Sequence, residues 1–198
     1  MIDFAKEGKI VITCYDRNAP FLEGELIALG FSPEGVFRTH VALKGSLNDC
    51  VFLNMHLRTA SHVLYEIHTF PLDDIQGLYP VINNMSWEDF IEKDDYFSVI
   101  SNVKHDSVDN PLFVNVRIKD AIADRFRDKF GSRPDSGSEL NEAVFQFFWK
   151  GESASIYINT TGATLIKHGY RKIPGSAPMM ESLASASLLA SGWDLKSP

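Results

Sequence analysis

Residues 114–130 read Val-Asn-Val-Arg-Ile-Lys-Asp-Ala-Ile-Ala-Asp-Arg-Phe-Arg-Asp-Lys-Phe, and this stretch organises the reading of the whole chain. Val114, Ile118, Ile122, Phe126 and Phe130 recur every four residues with Ala121 beside them, which predicts a helix with one apolar stripe and a charged opposite face. Beyond it, Gly131, Pro134 and Gly137 break the chain. Residues 143–149 and 153–159 then flank Lys150-Gly151-Glu152 as a predicted hairpin. Before it, residues 96–103 read as a strand, Trp87, Phe90 and Ile91 as a short helical turn, and 73–82 as a short helix.

Farther out, residues 61–69 alternate through Val63, Tyr65 and Ile67, and 46–57 open as a helix with Ser46 as N-cap. The first forty-five residues predict strand (9–14), helix (Pro20 to Leu29, closed by Gly30) and strand (35–43). At the other end, the Gly and Pro content of 160–177 predicts a linker or wrapped loop. A last helix is expected from Pro178 to Ser191, with Ser176 as N-cap, Pro178 in the first turn and Gly192 as the stop. Ala184, Ser185, Ala186 and Ser187 are all small, which suits close packing. Strands and helices mix without regular alternation, so the expected class is α+β rather than α/β.

The 198 residues are 44% apolar and 12% aromatic, enough for a substantial core. No stretch approaches the roughly 20 apolar residues of a membrane span, and Asp3, Lys6, Glu7 and Lys9 stand where a signal peptide would be apolar. A cytoplasmic protein with no membrane partner is expected. Cys14 and Cys50 are too few for a disulfide scaffold and read as reduced, buried thiols. The net charge of −7 is unevenly spread. Residues 1–112 hold 17 acids and 8 bases, residues 113–133 hold 6 bases and 3 acids, and 153–180 carry Lys167, Arg171 and Lys172 with no acid. Two basic stretches on an acidic body are compatible with a local RNA face.

The chain lacks a phosphate-cradling Gly-rich loop, a His-Glu-x-x-His pair and a nucleophile elbow, so no catalytic residue is assigned. His56, His62 and His68 recur every six residues, on different faces of a helix, and are read as ordinary histidines; no metal site is expected. Asn110-Pro111-Leu112-Phe113 differs by one residue from the Asn-Pro-Pro-aromatic loop with which amino-methyltransferases hold a flipped base. Without a preceding Rossmann-type strand and Gly-rich turn, it is read as a loop before the long helix.

The passage Gly162-Ala-Thr-Leu-Ile-Lys-His-Gly-Tyr-Arg-Lys172, then Ala177-Pro178, Glu181-Ser-Leu-Ala184 and Ser191-Gly-Trp193, resembles one in bacterial THUMP-containing ribosomal RNA methyltransferases, often labelled N6-adenine-specific methylases. There the passage usually reads Arg-Gly-Tyr-Arg, Ala-Pro, Glu-x-Leu-Ala-Ala and precedes the methyltransferase domain. Here His168 replaces the first arginine and Ser185 the second small residue. Val116 to Asp124, Ser155 to Asn159 and the Trp87 region are similar to the family's THUMP domain.

The resemblance implies a ferredoxin-like amino-terminal part (1–45) packed with a THUMP domain (46–160). A linker and helix (161–198) then lead to an absent Rossmann-like catalytic domain, on which that helix packs in the family. The turn that binds S-adenosylmethionine would begin where the sequence stops, at Pro198. The implied function is recognition of RNA, ribosomal RNA first, for a methyltransferase using S-adenosylmethionine. Guanine N2 stands ahead of adenine N6 as its target, and this chain by itself has no active site and no cofactor.

Lys167, His168, Tyr170, Arg171 and Lys172 are the first candidates for RNA contact, the cations on phosphates and the tyrosine stacking on an unpaired base. Pinning of the linker onto the domain by Tyr170 and Arg171 is the competing account. Arg117 and Lys119, beside Arg125 and Lys129, project from the polar side of the long helix; their alternative is salt bridging to Asp120, Asp124 and Asp128. Arg133 lies in the loop beyond. Pro178 and Glu181 stand where the family's helix borders the cofactor pocket, although helix-start chemistry alone accounts for both. Two other readings stay open: a free-standing RNA-binding adaptor, which would bury the small-residue helix, and a non-RNA interaction domain, whose basic segments would lie apart.

Overall fold

The computed structural model describes residues 3–108, 110–166, 173 and 175–193. The chain divides into two units. One, the inserted unit, runs from Glu66 to Gly162; the other is discontinuous and joins Phe4–Tyr65 to the described residues from Ala163 onward.

The discontinuous unit contains β1 (Gly8–Cys14), α1 (Ala19–Ala28), β2 (Pro33–Val36), β3 (His40–Gly45), α2 (Leu47–His56) and the first half of β4 (Ala60–Pro71). Central β1 runs antiparallel to both β3 and β4, so Ile10 faces Leu43 on one side and Tyr65 on the other. Ile10, Ile12, Val41, Leu43 and Val63 are fully buried, as are Leu22 and Leu26 of α1 and Cys50 and Leu53 of α2. Burial on this scale drives the unit together, each large aliphatic side chain contributing about 1.5–3 kcal/mol.

The single strand expected over 35–43 is two strands, β2 and β3, joined by a tight turn in which Phe37 N–H donates to His40 O at 2.9 Å. No Gly or Pro marks residues 37–39, so a two-residue alternation hides the reversal. Helix α2 opens as its sequence predicts. Ser46 N–H donates to Asp49 Oδ2 at 2.7 Å while Asp49 N–H donates to Ser46 Oγ at 3.3 Å, a reciprocal capping box.

The last helix, α5 (Glu181–Ala190), starts later than expected. Met180 is its N-cap, with extended backbone (φ −61°, ψ 141°) and no side-chain cap, and Ser176 and Pro178 lie exposed before it. Glu181, Ser182 and Ala186 are buried, whereas Leu188, Leu189 and Trp193 are exposed.

The inserted unit contains the second half of β4, then α3 (Ile75–Asn84), β5 (Tyr96–Lys104), α4 (Pro111–Phe130), β6 (Asp135–Gly137), β7 (Ala143–Lys150) and β8 (Ser153–Asn159). The predicted stripe is buried from Val114 to Phe126, in one core with Leu78 and Ile82 of α3 and Phe97, Val99, Phe145, Phe147, Trp149 and Ile156 of the strands. Phe130, its last member, is exposed. Trp87 seals the core: its indole N–H donates to Ile82 O at 2.6 Å, and its ring meets Phe145 edge-on, centroids 4.9 Å apart.

Strands β5 and β7 pair in parallel, from Phe97 opposite Ala143 to Lys104 opposite Lys150, with α4 in the connection between them. Strand β8 returns antiparallel to β7, and Gly151 in the turn adopts φ +60°. The short β6, parallel to β5, lies where only chain breaks were expected. Asn110-Pro111 starts α4 as a cap: the Asn110 side chain accepts from Leu112 N–H at 3.0 Å and Pro111 occupies the first turn. The class is α+β.

Candidate nucleic-acid interface

Charge on α4 is spent largely inside the inserted unit. Arg125 donates to Glu88 through Nε (2.9 Å) and Nη2 (2.8 Å), and its Nη1 reaches Asn83 O at 3.2 Å. Lys129 binds the same carboxylate. These hydrogen bonds, Arg125's foremost, hold the Glu88 carboxyl well below the usual range despite partial burial. Arg127 pairs with Asp124 at 2.6 Å, one helical turn away.

Arg117 lies over the Tyr79 ring, 5.1 Å from its centroid, and the Tyr79 hydroxyl donates to Asp124 at 2.6 Å. Lys119 donates from Nζ to Gly137 O at 2.5 Å, and burial lowers its pKa. Arg133, past the end of α4, is exposed. Glu88 as the partner of Arg125 and Lys129 could not be found from helical spacing, because it comes from a different segment.

Lys167, His168, Tyr170, Arg171 and Lys172 lie outside the described residues. The chain just before them is tied down within the discontinuous unit: Leu165 N–H donates to Ser61 O at 2.9 Å, and Ala163 O lies 2.9 Å from His62 Nε2. Of the two residues read beside a cofactor pocket, Pro178 is exposed and Glu181 is 6% exposed. His56 stacks on Phe52 and His68 on Phe70, and among the described residues no three metal-ligating side chains gather.

A second surface of the inserted unit was not singled out in the sequence. Odd-numbered residues of β5 and β7 enter the core; the even-numbered ones point to the other side of the strands. Along that side Ser98 and Val144 are buried, Ile100, Gln146 and Phe148 half-buried, and Asn102, Lys104 and Lys150 exposed. Phe148 is braced edge-on by Tyr157, with centroids 5.7 Å apart and planes at 82°. The Tyr157 hydroxyl donates to Glu66 at 3.2 Å, and burial pushes its pKa to about 12. The register that brings Lys104 beside Lys150 depends on a parallel pairing across α4, which side-chain periodicity does not report.

A THUMP domain profile matches residues 73–159, and an RlmL ferredoxin-like domain profile matches residues 9–64. Together they take in well over half of the chain. This chain joins an RlmL-type ferredoxin-like domain to a THUMP domain. A ribosomal RNA large subunit methyltransferase K/L of Psychromonas ingrahamii is 35% identical over 178 residues, an alignment covering 88% of this chain and 23% of that protein. The chain spans about a quarter of the length of the curated relatives it matches.

Among solved structures, a "predicted N6-adenine-specific DNA methylase" of Listeria monocytogenes superposes with a TM-score of 0.81 at 26% identity, covering 95% of this chain and 49% of that one. The SMU.472 protein, solved in complex with SAH, gives a TM-score of 0.81 at 25% identity, covering 98% of this chain and 51% of its own. None of the described helices in this THUMP chain is long and apolar enough to cross a membrane.

Proposed function

We propose that this chain is the RNA-recognition region of a larger, cytoplasmic RNA methyltransferase that uses S-adenosylmethionine, with ribosomal RNA as its target. The carrying observation is the succession of the two domains, in one alignment with proteins named ribosomal RNA large subunit methyltransferases. A structural neighbour that binds SAH supports the cofactor of the longer protein. Guanine N2 is placed ahead of adenine N6 on the family resemblance alone. The chain by itself binds RNA and carries out no chemistry.

The test is equilibrium binding to a folded ribosomal RNA fragment across a salt series, beside a Lys167→Ala, Arg171→Ala, Lys172→Ala triple variant. Salt-sensitive binding that the variant flattens supports RNA recognition through the basic segment. No binding even at low salt overturns an autonomous RNA-binding region.

A further inference from the structure

Lys104 and Lys150 are directly opposed residues of a parallel strand pair, so their backbones stand roughly 4.8 Å apart and their side chains leave the same side. Like charges so placed destabilise a sheet. Among the described residues neither lysine makes an ion pair or hydrogen bond, and the carboxylates near them in sequence, Asp106 and Glu152, pair with neither. Two exposed lysines thus stand at one register position, and among the described residues neither has an internal partner.

Phe148, half-buried on the same side of β7, lies two residues before Lys150, and Asn102 lies two before Lys104. The ring is fixed edge-on by Tyr157, so using one of its faces requires little further ordering. Glu66, bonded to the Tyr157 hydroxyl, places a carboxylate next to the aromatic pair. The surface thus has a cationic end suited to phosphate and an aromatic middle suited to a base.

We propose that the end of this strand surface, Asn102, Lys104, Phe148 and Lys150, binds a single-stranded segment of RNA. The two lysines neutralise backbone phosphates, Phe148 stacks on an unpaired base and Asn102 supplies an amide beside it. The proposal rests on the RNA-recognition reading above and deepens it by assigning a surface built from β5 and β7 rather than from α4. An A-form duplex keeps its base faces stacked inside, so a platform of this kind selects unpaired nucleotides.

The experiment is fluorescence anisotropy of the 198-residue chain with a labelled unstructured RNA 12-mer and, separately, a blunt RNA duplex, each across a salt series. Lys104→Ala/Lys150→Ala should weaken binding to the single strand at least tenfold at low salt. It should also reduce the salt slope by about 1.4, at about 0.7 per lost single-strand phosphate contact. Lys104→Arg/Lys150→Arg should keep the slope. Phe148→Leu should weaken single-strand binding about fivefold or more while leaving the duplex unaffected, with unchanged circular dichroism, and Phe148→Tyr should restore it.

Wild-type binding that the lysine and phenylalanine variants leave untouched overturns this surface while the RNA reading stands. Equal losses on strand and duplex overturn the single-strand assignment. Absence of wild-type binding to these RNAs and to the folded ribosomal fragment overturns both.

Discussion

Arg125 grips Glu88 with two parallel hydrogen bonds, Nε to Oε2 at 2.9 Å and Nη2 to Oε1 at 2.8 Å, joining α4 to the short helical turn that carries Trp87. Both side chains are mostly shielded, at 21% and 18% exposure. Glu88→Gln should therefore cost about 2 kcal/mol at neutral pH. The folded-state pKa of Glu88 is depressed, so its stabilisation is complete above the unfolded value and disappears as pH falls through the folded one. Urea titrations at neutral pH and at pH 3.5 should show the gap between wild type and variant narrowing in acid. A gap independent of pH would refute the assignment.

Gly151 turns the β7–β8 hairpin at φ +60°, and a Cβ built there meets nothing within 4 Å. Gly151→Ala should then cost about 1 kcal/mol through backbone conformation alone. Its melting temperature should drop by a few degrees with the folded spectrum intact. A larger loss would point to a packing role that the open space around this glycine excludes.

Ser46 and Asp49 satisfy each other's backbone donors at the start of α2. Ser46→Ala removes one arm of the box and should cost about 1 kcal/mol, whereas Ser46→Thr should retain most of it. Chemical denaturation of both variants separates the hydrogen bond from a simple effect of side-chain size.

Lys119 donates to the Gly137 carbonyl, a contact that ties α4 to β6. Lys119→Met should lower stability by about 1 kcal/mol while leaving RNA affinity and its salt slope unchanged. A loss of slope with unchanged stability would place this ammonium on phosphate instead.

Much of the architecture was legible because it is written in periodicity and punctuation. The stripe from Val114 to Phe126, the Ser46 cap and the Gly151 hairpin all belong to segments that report their own conformation. Three features were not. The β2–β3 turn at Phe37 carries no turn residue, Pro178 precedes α5 instead of entering it, and β6 pairs through backbone groups that any side chain allows.

For the candidate interface the difficulty is one of range. Helical spacing offered the basic residues of α4 the acids Asp120, Asp124 and Asp128, but the partner of Arg125 is Glu88, supplied by a different segment. Lys104 and Lys150 meet only through a strand pairing that the intervening helix makes possible. Arg133 is exposed as its loop position suggested, while Arg117 and Lys119 have the partners Tyr79 and Gly137.

The discontinuous unit needs residues on both sides of the inserted one: Phe4–Tyr65 are made first, and Leu165, which bonds to Ser61, and α5 come a hundred residues later. On a ribosome the inserted unit can finish its own core before the last piece of its host exists. The host must hold β1 to β4 together provisionally, or wait, and closing so long a loop makes its final docking the slow, non-local step of folding. Moving the termini, so that 163–193 are joined ahead of residue 4, would make that unit continuous and should speed its assembly without altering either core.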